Sequence, residues 1–474
     1  MTLDRRNFLR TITGGAFASF TPLSGAVAPP WNVLFVLMDD LGWRDLGPYG
    51  NRFIDTPNLD RFAQQSVRFT NAYAACPVCS PTRASIMTGK YPARLHLTDW
   101  IPGRKPWPTS KLIRPEFNQF LPVADKTIAE ALSPRGYRTA AIGKWHLGGE
   151  GHLPTDRGFQ KNVGGSEAGH PPAYFGPLQM PGLKLASGEF LTQRLTDEAI
   201  RFMPADKQTP FFLYQAHYTV HTPLEAREEA IAKYRKRDIG DFNPTYCAMV
   251  ESVDDSMGQL LKSLDDSGQA DNTIVIFFSD NGGVRYQGKS VKPISNNAPL
   301  RAGKGHVFEG GIREPLMIRW PGITRPGRVV DEPVSSIDFF PTICEAAGAP
   351  AGKVDGRSLL PLLRGEKSPE RPLFWHYPHY SDQGGRPSGA IRLGDWKLIE
   401  FYEDGRLELF HLAEDVGEQR NLVRLEANRA KKLQGMLSDW RRSVDAAMPA
   451  PNPQYDPARS SEGLTGYEPP TPPV

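Results

Sequence analysis

The chain of 474 residues has only four cysteines, little net charge and no long hydrophobic run. Four cysteines in a chain of this size exclude a scaffold built on disulfides. A formal net charge of +3 is too small for electrostatic binding of nucleic acid or a membrane surface, and no apolar run reaches the length of a membrane span. Internal repeats are also absent. The composition is that of a loop-rich globular enzyme. Because the net charge is small, any anion must be bound by charged groups close to it.

The N-terminal segment, residues 1–28, predicts an export signal. Arg5-Arg6-Asn7-Phe8-Leu9-Arg10 resembles the twin-arginine motif, a weakly apolar stretch follows at 12–20, and Ala26-Val27-Ala28 offers a small-residue cleavage site. The alternative is a basic, frayed N-terminus. We therefore expect a periplasmic or secreted protein without a stable membrane association, and the fold is expected to begin after this segment.

Short apolar runs alternate with amphipathic helical patterns over most of the chain. The runs cover residues 33–38, 139–142, 211–215 and 273–278, and the helical patterns begin at the capping box Thr127-Ile128-Ala129-Glu130 and at 195–203 and 246–264. Short, continuous apolar runs are typical of strands that are buried on both faces. The alternation predicts an α/β fold with a mostly parallel sheet and helices on both sides.

From about residue 365 the pattern changes to short alternating runs. Runs at 391–393, 396–401 and 407–412, with a turn at Asp404-Gly405, predict an antiparallel sheet, and 425–444 predicts a helix. We expect a catalytic domain over 29–365 and a small α+β subdomain over 366–448. The proline-rich tail, 449–474, is expected to be extended or disordered.

Each of the four predicted strands in the catalytic domain is followed by residues that carry charge or bind metals. These are Asp39-Asp40 after the first, Gly143-Lys144-Trp145-His146 after the second, His217 and His221 after the third, and Ser279-Asp280-Asn281-Gly282 after the fourth. Ligands bind beyond the carboxyl ends of the strands in open α/β sheets. Four such endings together predict a site at that edge.

Four of these residues offer only oxygen to a metal: Asp39, Asp40, Asp280 and Asn281. Adjacent carboxylates repel one another, so clustering them requires a cation. Oxygen ligands favour Ca²⁺ or Mg²⁺ over zinc, which would recruit His or Cys. Taken singly, Asp39-Asp40 fits a strand-end cap, and Asp280-Asn281-Gly282 fits a turn.

The segment Cys79-Ser80-Pro81-Thr82-Arg83 predicts the start of a helix. Pro81 suits a first helical turn and Gly89 suits a helix end, which would place Cys79 just before the helix N-terminus, where negative charge is favoured. Arg83, one turn further on, can then reach back toward it. The alternatives are a buried structural cysteine and a redox pair with Cys76.

Taken in the order in which they occur along the chain, these motifs resemble those of the type I, formylglycine-dependent sulfatases. Further motifs that carry the resemblance are Pro57-Asn58-Leu59-Asp60, His221-Thr222-Pro223, Gly303-Lys304-Gly305 and Asp395-Trp396-Lys397-Leu398. The resemblance spans about residues 31 to 420. Thr82 stands where serine is commoner in the family. An alkaline-phosphatase-like fold is implied.

The resemblance also implies a chemistry. Cys79 would be oxidised to Cα-formylglycine by a formylglycine-generating or an anaerobic sulfatase-maturating enzyme, and its hydrated aldehyde would attack a sulfate ester. One Ca²⁺, with Mg²⁺ as the alternative, would be bound by Asp39, Asp40, Asp280, Asn281 and residue 79. The implied catalytic residues are Cys79, Arg83, Lys144, His146, His221 and Lys304. His221 or Lys304 would protonate the leaving alcohol, and His146 would accept a proton as sulfate is released.

Aromatic and polar residues in three segments suggest a pocket for a sugar. The segments are 96–103, 169–174 and Trp375-His376, and His96, His170 and His306 are candidate substrate contacts. Within the family, the chain looks similar to arylsulfatase A and N-acetylgalactosamine-6-sulfatase, which implies a sulfated galactose or N-acetylgalactosamine unit of a glycan. The alternatives are a formylglycine-dependent phosphate mono- or diester hydrolase and a non-catalytic binder of sulfated glycans.

Overall fold

A computed structural model describes residues 30–105, 107–286 and 293–459. The export signal predicted at 1–28 and the last part of the proline-rich tail lie outside these residues and stay predictions. None of the helices among the described residues is both long and apolar enough to cross a membrane.

The described chain alternates strands and helices. The strands are β1 (Asn32–Met38), β2 (Val67–Tyr73), β3 (Leu112–Ile113), β4 (Arg138–Gly143), β5 (Lys161–Val163), β6 (Leu178–Met180), β7 (Leu183–Leu185), β8 (Phe211–Ala216), β9 (Thr273–Ser279), β10 (Arg313–Arg319), β11 (Val329–Val330), β12 (Val334–Ser335), β13 (Leu373–Tyr377), β14 (Ser388–Leu393), β15 (Trp396–Phe401), β16 (Leu407–His411) and β17 (Ala450–Pro451). The helices are α1 (Pro57–Gln65), α2 (Cys79–Thr88), α3 (Ile128–Leu132), α4 (Leu191–Phe202), α5 (Glu228–Arg235), α6 (Pro244–Asp266), α7 (Glu309–Ile312), α8 (Phe339–Ala346), α9 (Leu360–Arg364) and α10 (Ala427–Ser443).

The main sheet has nine strands in the order β11-β2-β10-β9-β1-β8-β4-β5, with β12 also paired to β2. Strands β9, β1, β8, β4 and β5 run parallel, whereas β10 is antiparallel to both its neighbours. The four sequence-predicted strands are β1, β4, β8 and β9, each longer than expected by one or two residues. The mostly parallel sheet is thereby confirmed.

Strand β1 shows why these runs are continuously apolar. Leu34, Val36 and Met38 face one hydrophobic core, and Val33, Phe35 and Leu37 face the other. Helices α1, α4 and α6 cover the first face, and α2, α3 and α8 cover the second. Each large aliphatic side chain removed from water in this way contributes about 1.5–3 kcal/mol. The prediction of helices on both sides is therefore confirmed.

The smaller sheet is antiparallel, in the order β13-β14-β15-β16, and helix α10 packs on it. Trp440 of α10 stacks on Phe374 of β13 with ring centroids 4.7 Å apart. These elements confirm the predicted small sheet with a helix. The first part of the proline-rich tail is extended, because Ala450–Pro451 pairs with Leu112–Ile113.

A buried group of three charged residues joins the small sheet to the rest of the protein. The Lys397 ammonium of β15 lies 2.9 Å from a carboxylate oxygen of Glu309 in α7 and 2.9 Å from one of Glu418, and all three side chains are inaccessible to solvent. Tyr73 of β2 donates a further hydrogen bond to Glu309. Burial raises the pKa of Glu418 to about 7, whereas Lys397, against the effect of burial, holds the pKa of Glu309 at about 2.

We expect Lys397→Met to lower the free energy of unfolding by about 3–5 kcal/mol, because two buried carboxyl groups would lose their shared cation. Urea unfolding followed by tryptophan fluorescence measures the change. Lys431→Met is the matched control, since Lys431 is exposed on α10 and its replacement should alter stability by no more than about 0.5 kcal/mol. Equal stabilities for the two variants would contradict a structural role for Lys397 and its two carboxylate partners.

Candidate active site

The acidic residues predicted at the strand ends meet at the carboxyl edge of the main sheet. Met38 of β1 is in register with Ser279 of β9, so Asp39-Asp40 and Asp280-Asn281 leave the sheet side by side. The Asn281 amide donates to Asp40 Oδ1 at 2.7 Å, and the backbone N–H of Asp40 donates to Asp280 Oδ1 at 3.2 Å. All four side chains are buried.

Three cations, each from a different segment, neutralise the three carboxylates. Lys144 Nζ lies 2.7 Å from Asp39 Oδ2, Arg83 Nη2 lies 2.7 Å from Asp280 Oδ2, and Lys304 Nζ lies 2.6 Å from Asp40 Oδ1. Arg83, which was expected to reach back toward Cys79, is thus directed at the acidic residues. We call these six side chains the ion cluster.

Helix α2 presents Cys79 to this cluster. The helix begins at Cys79 itself, one residue earlier than expected, and ends before Gly89, whose φ is 69°. Every residue of the helix is buried, and Cys79 is 3% exposed. Burial raises the pKa of the Cys79 thiol, against the effect of Lys144 and Lys304. Cys79 is therefore a buried residue in the first turn of a helix, beside cationic groups.

His146 lies against Cys79 with one ring nitrogen already engaged. His146 Nε2 is 2.6 Å from the carbonyl oxygen of Ile101, which can only accept, so Nε2 carries the proton. His146 Nδ1 then presents a lone pair to Cys79 Sγ, 3.3 Å away. His146 has a φ of 59°, a region that is uncommon for residues other than glycine and recurs at functional sites.

A cavity of about 460 Å³ opens over these residues. Its lining includes Cys79, His146, His221 and Lys304, and His170, whose ring centroid is 6.1 Å from that of His221. The remaining lining residues are Val78, Trp100, Ile101, Pro102, Glu167, Ala168, Gly169, Ser381, Asp382 and Gln383. The cavity is therefore bounded by cationic, imidazole and aromatic groups, and the buried acidic residues lie beneath it.

The candidate substrate contacts divide in two. His170 lines the cavity, whereas His96 and His306 are not among its described lining residues. His96 lies 4.0 Å from Asp445, and His306 Nδ1 lies 3.2 Å from the carbonyl of Lys304. Trp375-His376 was also misplaced by sequence reasoning, because both residues belong to β13, where Trp375 donates to the carbonyl of Ala74.

Sequence reasoning missed the loop 381–383, which enters the cavity from the small sheet. The loop approaches the backbone closely at two glycines: a Cβ on Gly385 would lie 1.7 Å from the carbonyl oxygen of Gly305, and a Cβ on Gly305 would lie 2.0 Å from Ser381 Oγ. Gly384-Gly385 after three polar residues was the available signal. It marks close backbone approach, not a binding role.

The acidic residues fit a hard divalent cation. Asp39 Oδ1 and Asn281 Oδ1 are buried and have no hydrogen-bond partner among the residues that the structure describes. Such oxygens are uncommon in native proteins and are explained by an ion or a water. Asp39, Asp40 and His221 also place potential ligand atoms within 4.8 Å of one another. The oxygen donors of Asp39, Asp40, Asp280 and Asn281 suit Ca²⁺ or Mg²⁺.

Two family models match the chain. One, described as Sulfatase, covers residues 31–349, and the other, described as N-sulphoglucosamine sulphohydrolase, C-terminal, covers residues 302–443. The chain is 35% identical over 383 residues to N-acetylgalactosamine-6-sulfatase of Homo sapiens, covering 74% of this chain and 69% of that protein. It is 34% identical over 452 residues to arylsulfatase A of Homo sapiens, covering 84% of each.

A solved structure shares the fold. The crystal structure of Ps i-CgsB in complex with k-i-k-neocarrahexaose has a TM-score of 0.75 and 30% sequence identity, and the match covers 90% of this chain and 94% of that one. The alkaline-phosphatase-like fold class, with its second, smaller antiparallel sheet, is confirmed.

We expect Ca²⁺ added to the chelator-treated protein to raise its melting temperature. At a Ca²⁺ concentration of about 100 times Kd, the gain is about 2.7 kcal/mol in the free energy of unfolding. Asp40→Ala and Asn281→Ala should remove the Ca²⁺-dependent shift, because each deletes an oxygen donor of the site. Exposed Asp271→Asn, a matched control, should retain it. A shift produced by zinc alone would contradict the oxygen-ligand assignment.

Proposed function

Because the chain belongs to the sulfatase family, we propose that it removes sulfate from a sulfated carbohydrate, at a galactose or N-acetylgalactosamine type of unit. The family makes it a sulfuric ester hydrolase. The observation that carries the proposal is the cavity in which Cys79, His146, His221 and Lys304 converge over the ion cluster. An anionic ester group entering this cavity meets the ammonium group of Lys304 and the imidazole of His221.

The sugar assignment rests on the lining and on the relatives. Trp100 offers a flat apolar face, and His170, Glu167 and Gln383 offer hydrogen-bonding groups, a combination that suits a sugar ring and its hydroxyls. One relative is named N-acetylgalactosamine-6-sulfatase, and one related structure holds a neocarrahexaose. These two names agree with a galactose-type sugar. Since arylsulfatase A and steryl-sulfatase are similar to the chain to about the same extent, the choice of a sugar over an aryl or lipid alcohol rests on the lining of the cavity.

Position 79 is where we place the nucleophile. Cα-formylglycine, formed there by a maturating enzyme from Cys79, supplies a hydrated aldehyde for attack on sulfur. The first turn of α2 favours negative charge at this position through its unpaired backbone N–H groups. His146 Nδ1, held toward position 79 by the bond from Nε2 to Ile101, is placed to accept a proton there.

Charge stabilisation comes from the groups around the ester. Asp39, Asp40, Asp280 and Asn281 would hold Ca²⁺, which when bound would supply positive charge next to the ester. Lys144 and Lys304 pair with Asp39 and Asp40. Once those carboxylates hold a cation, the two lysines would add positive charge that is fixed before the substrate arrives, which is worth more in a buried site than in water. Arg83 acts through its pairing with Asp280 and Asp39, holding the carboxylates in place.

The leaving alcohol needs a proton, and two side chains can supply one. His221 and Lys304 both line the cavity, and both lie near Asp40, at 3.6 Å and 2.6 Å. We assign the proton to His221, because its ring also faces His170, on the side of the cavity that we assign to the sugar. Lys304 is the alternative donor.

Export and maturation belong to the same proposal. The twin-arginine-type segment at 1–28 points to a periplasmic or secreted enzyme. Such a route carries folded proteins, so oxidation of Cys79 would precede export.

The function is tested by turnover of a panel of sulfate esters. The panel holds galactose, N-acetylgalactosamine and glucosamine sulfates that differ in sulfate position, with 4-nitrophenyl sulfate and 4-nitrophenyl phosphate as comparators. We expect a galactose-type sulfate to be the best sugar substrate and the aryl sulfate to exceed the aryl phosphate. Cys79→Ala should abolish turnover, and mass spectrometry should find an aldehyde at residue 79 of active enzyme. A thiol at that position, or preference for the phosphate, would refute the proposal.

The two histidines should differ in their dependence on the leaving group. His221→Ala should slow release of a sugar alcohol about a hundred- to ten-thousandfold and leave 4-nitrophenyl sulfate much less affected, since nitrophenolate leaves without a proton. His146→Ala should slow both substrates alike, because its proton transfer does not involve the alcohol. Lys304→Ala is compared in the same assay. If Lys304→Ala slows the sugar sulfate more than 4-nitrophenyl sulfate and His221→Ala slows both alike, then Lys304 is the residue that protonates the leaving alcohol.

A further inference from the structure

The cavity continues outward along residues 100–105 and 107–116. It shares Trp100, Pro102 and Asp382 with a second hollow of about 610 Å³. The second hollow shares Arg104 and Lys105, among others, with a third of about 430 Å³. We call the second and third hollows together the outer groove. The cavity and the two hollows adjoin one another because they share lining residues, so a linear ligand that leaves the cavity can follow the outer groove.

The outer groove is more basic than the protein as a whole. Its charged lining residues are Arg104, Lys105, Arg114, Glu116, Asp382 and Arg459. Four of these six are cationic, in a chain whose formal net charge is only +3. Asp382 lies 3.0 Å from Arg104, whereas Lys105 is exposed and forms no ion pair with any residue in the described ranges. A surface of this kind favours an anionic ligand.

Aromatic side chains lie among these charges and are held in place. Trp107 Nε1 donates to Thr109 Oγ1 at 2.8 Å, and its ring centroid is 5.0 Å from that of Tyr380. Tyr380 in turn donates to Glu403 at 2.7 Å. The Trp107 ring is partly exposed, whereas the Tyr380 ring that supports it is buried. A fixed ring beside cations suits a sugar that carries an anionic group, because the sugar ring packs on the aromatic face while its anionic substituent meets the cation.

The chain segment after the small domain forms one wall. Asn452, which lines the groove, donates from its side-chain amide to the carbonyls of Pro108 and Ser110 at 2.8 and 2.7 Å. Strand β17 pairs with β3 beside it. These bonds fix segment 108–113 before any ligand binds, which reduces the ordering cost of binding.

We propose that the outer groove binds further anionic sugars of a sulfated oligosaccharide, so that the enzyme acts on a sulfated chain in preference to a single sulfated sugar. The inference rests on the proposed function for its choice of sugar. Lys105 and Trp107 are the residues that determine this preference. Neither lines the inner cavity, so their replacement leaves the reacting groups in place.

The test compares a galactan hexasaccharide sulfated on every galactose with galactose 6-sulfate. In the active enzyme, Lys105→Glu should raise KM for the hexasaccharide about fivefold, and Trp107→Ala about tenfold, since both remove contacts outside the cavity. Both variants should keep kcat/KM for galactose 6-sulfate. Lys353→Glu, an equal charge change at an exposed lysine outside the groove lining, should alter neither substrate.

Binding to Cys79→Ala, measured by titration calorimetry, separates this inference from the proposed reaction. Tighter binding of the hexasaccharide than of the monosaccharide, lost in Lys105→Glu and weakened by added salt, supports the groove even if the active enzyme releases no sulfate. Equal affinity for the two ligands overturns it, as does an equal loss for both ligands in Lys105→Glu. The comparison of the two ligands in Lys105→Glu still decides the question if Trp107→Ala proves unstable.

Discussion

Charge balance inside a buried site is the constraint on which this structure depends. Asp39, Asp40 and Asp280 are removed from water at the end of a sheet, where an unpaired carboxylate would cost several kcal/mol. Arg83, Lys144 and Lys304 each pair with one of them. Because the six residues come from five separate segments, the cluster forms only when β1, β4, β9, α2 and the loop after β9 are all in place. The site is thus a product of the whole sheet.

The sequence allowed this centre to be predicted because its placement follows from a general property of parallel sheets. Strands buried on both faces are continuously apolar, so their ends are visible where the charges begin, as at Asp39 and Asp280. Adjacent parallel strands then bring their ends together. What the spacing did not indicate is the partner of Arg83. Its direction is set by Asp280, which lies 197 residues away in the sequence, and no helical spacing contains that information.

The cavity walls could be predicted only in part, for a physical reason. Loops carry no periodic pattern, and their positions depend on contacts with distant segments. His170 and Trp100 were found because polar and aromatic residues cluster around them, but the same criterion also selected His96 and Trp375-His376. Neither these residues nor His306, which was proposed beside them, are among the described lining of the cavity. Trp375 is aromatic because it fills the core of the small sheet beside Tyr73, at 5.3 Å between ring centroids. Composition does not distinguish a ring that packs inward from one that lines a cavity.

The small domain therefore contributes to the site in two independent ways. Through Lys397, Glu309 and Glu418 it is joined to the catalytic sheet by buried charge, which fixes its position. Through the loop 381–383 it forms part of the cavity wall, at a place where Gly305 and Gly385 allow the backbones to approach. Neither Ser381 nor Gln383 belongs to the ion cluster. Their side chains can change without uncovering a buried charge, so under the proposed function the choice of alcohol could vary while the sulfate-binding groups stay the same. The residues that we propose to hold the sulfate are consequently ones that a general motif predicts, and those that we propose to select the alcohol are ones that only the folded chain brings together.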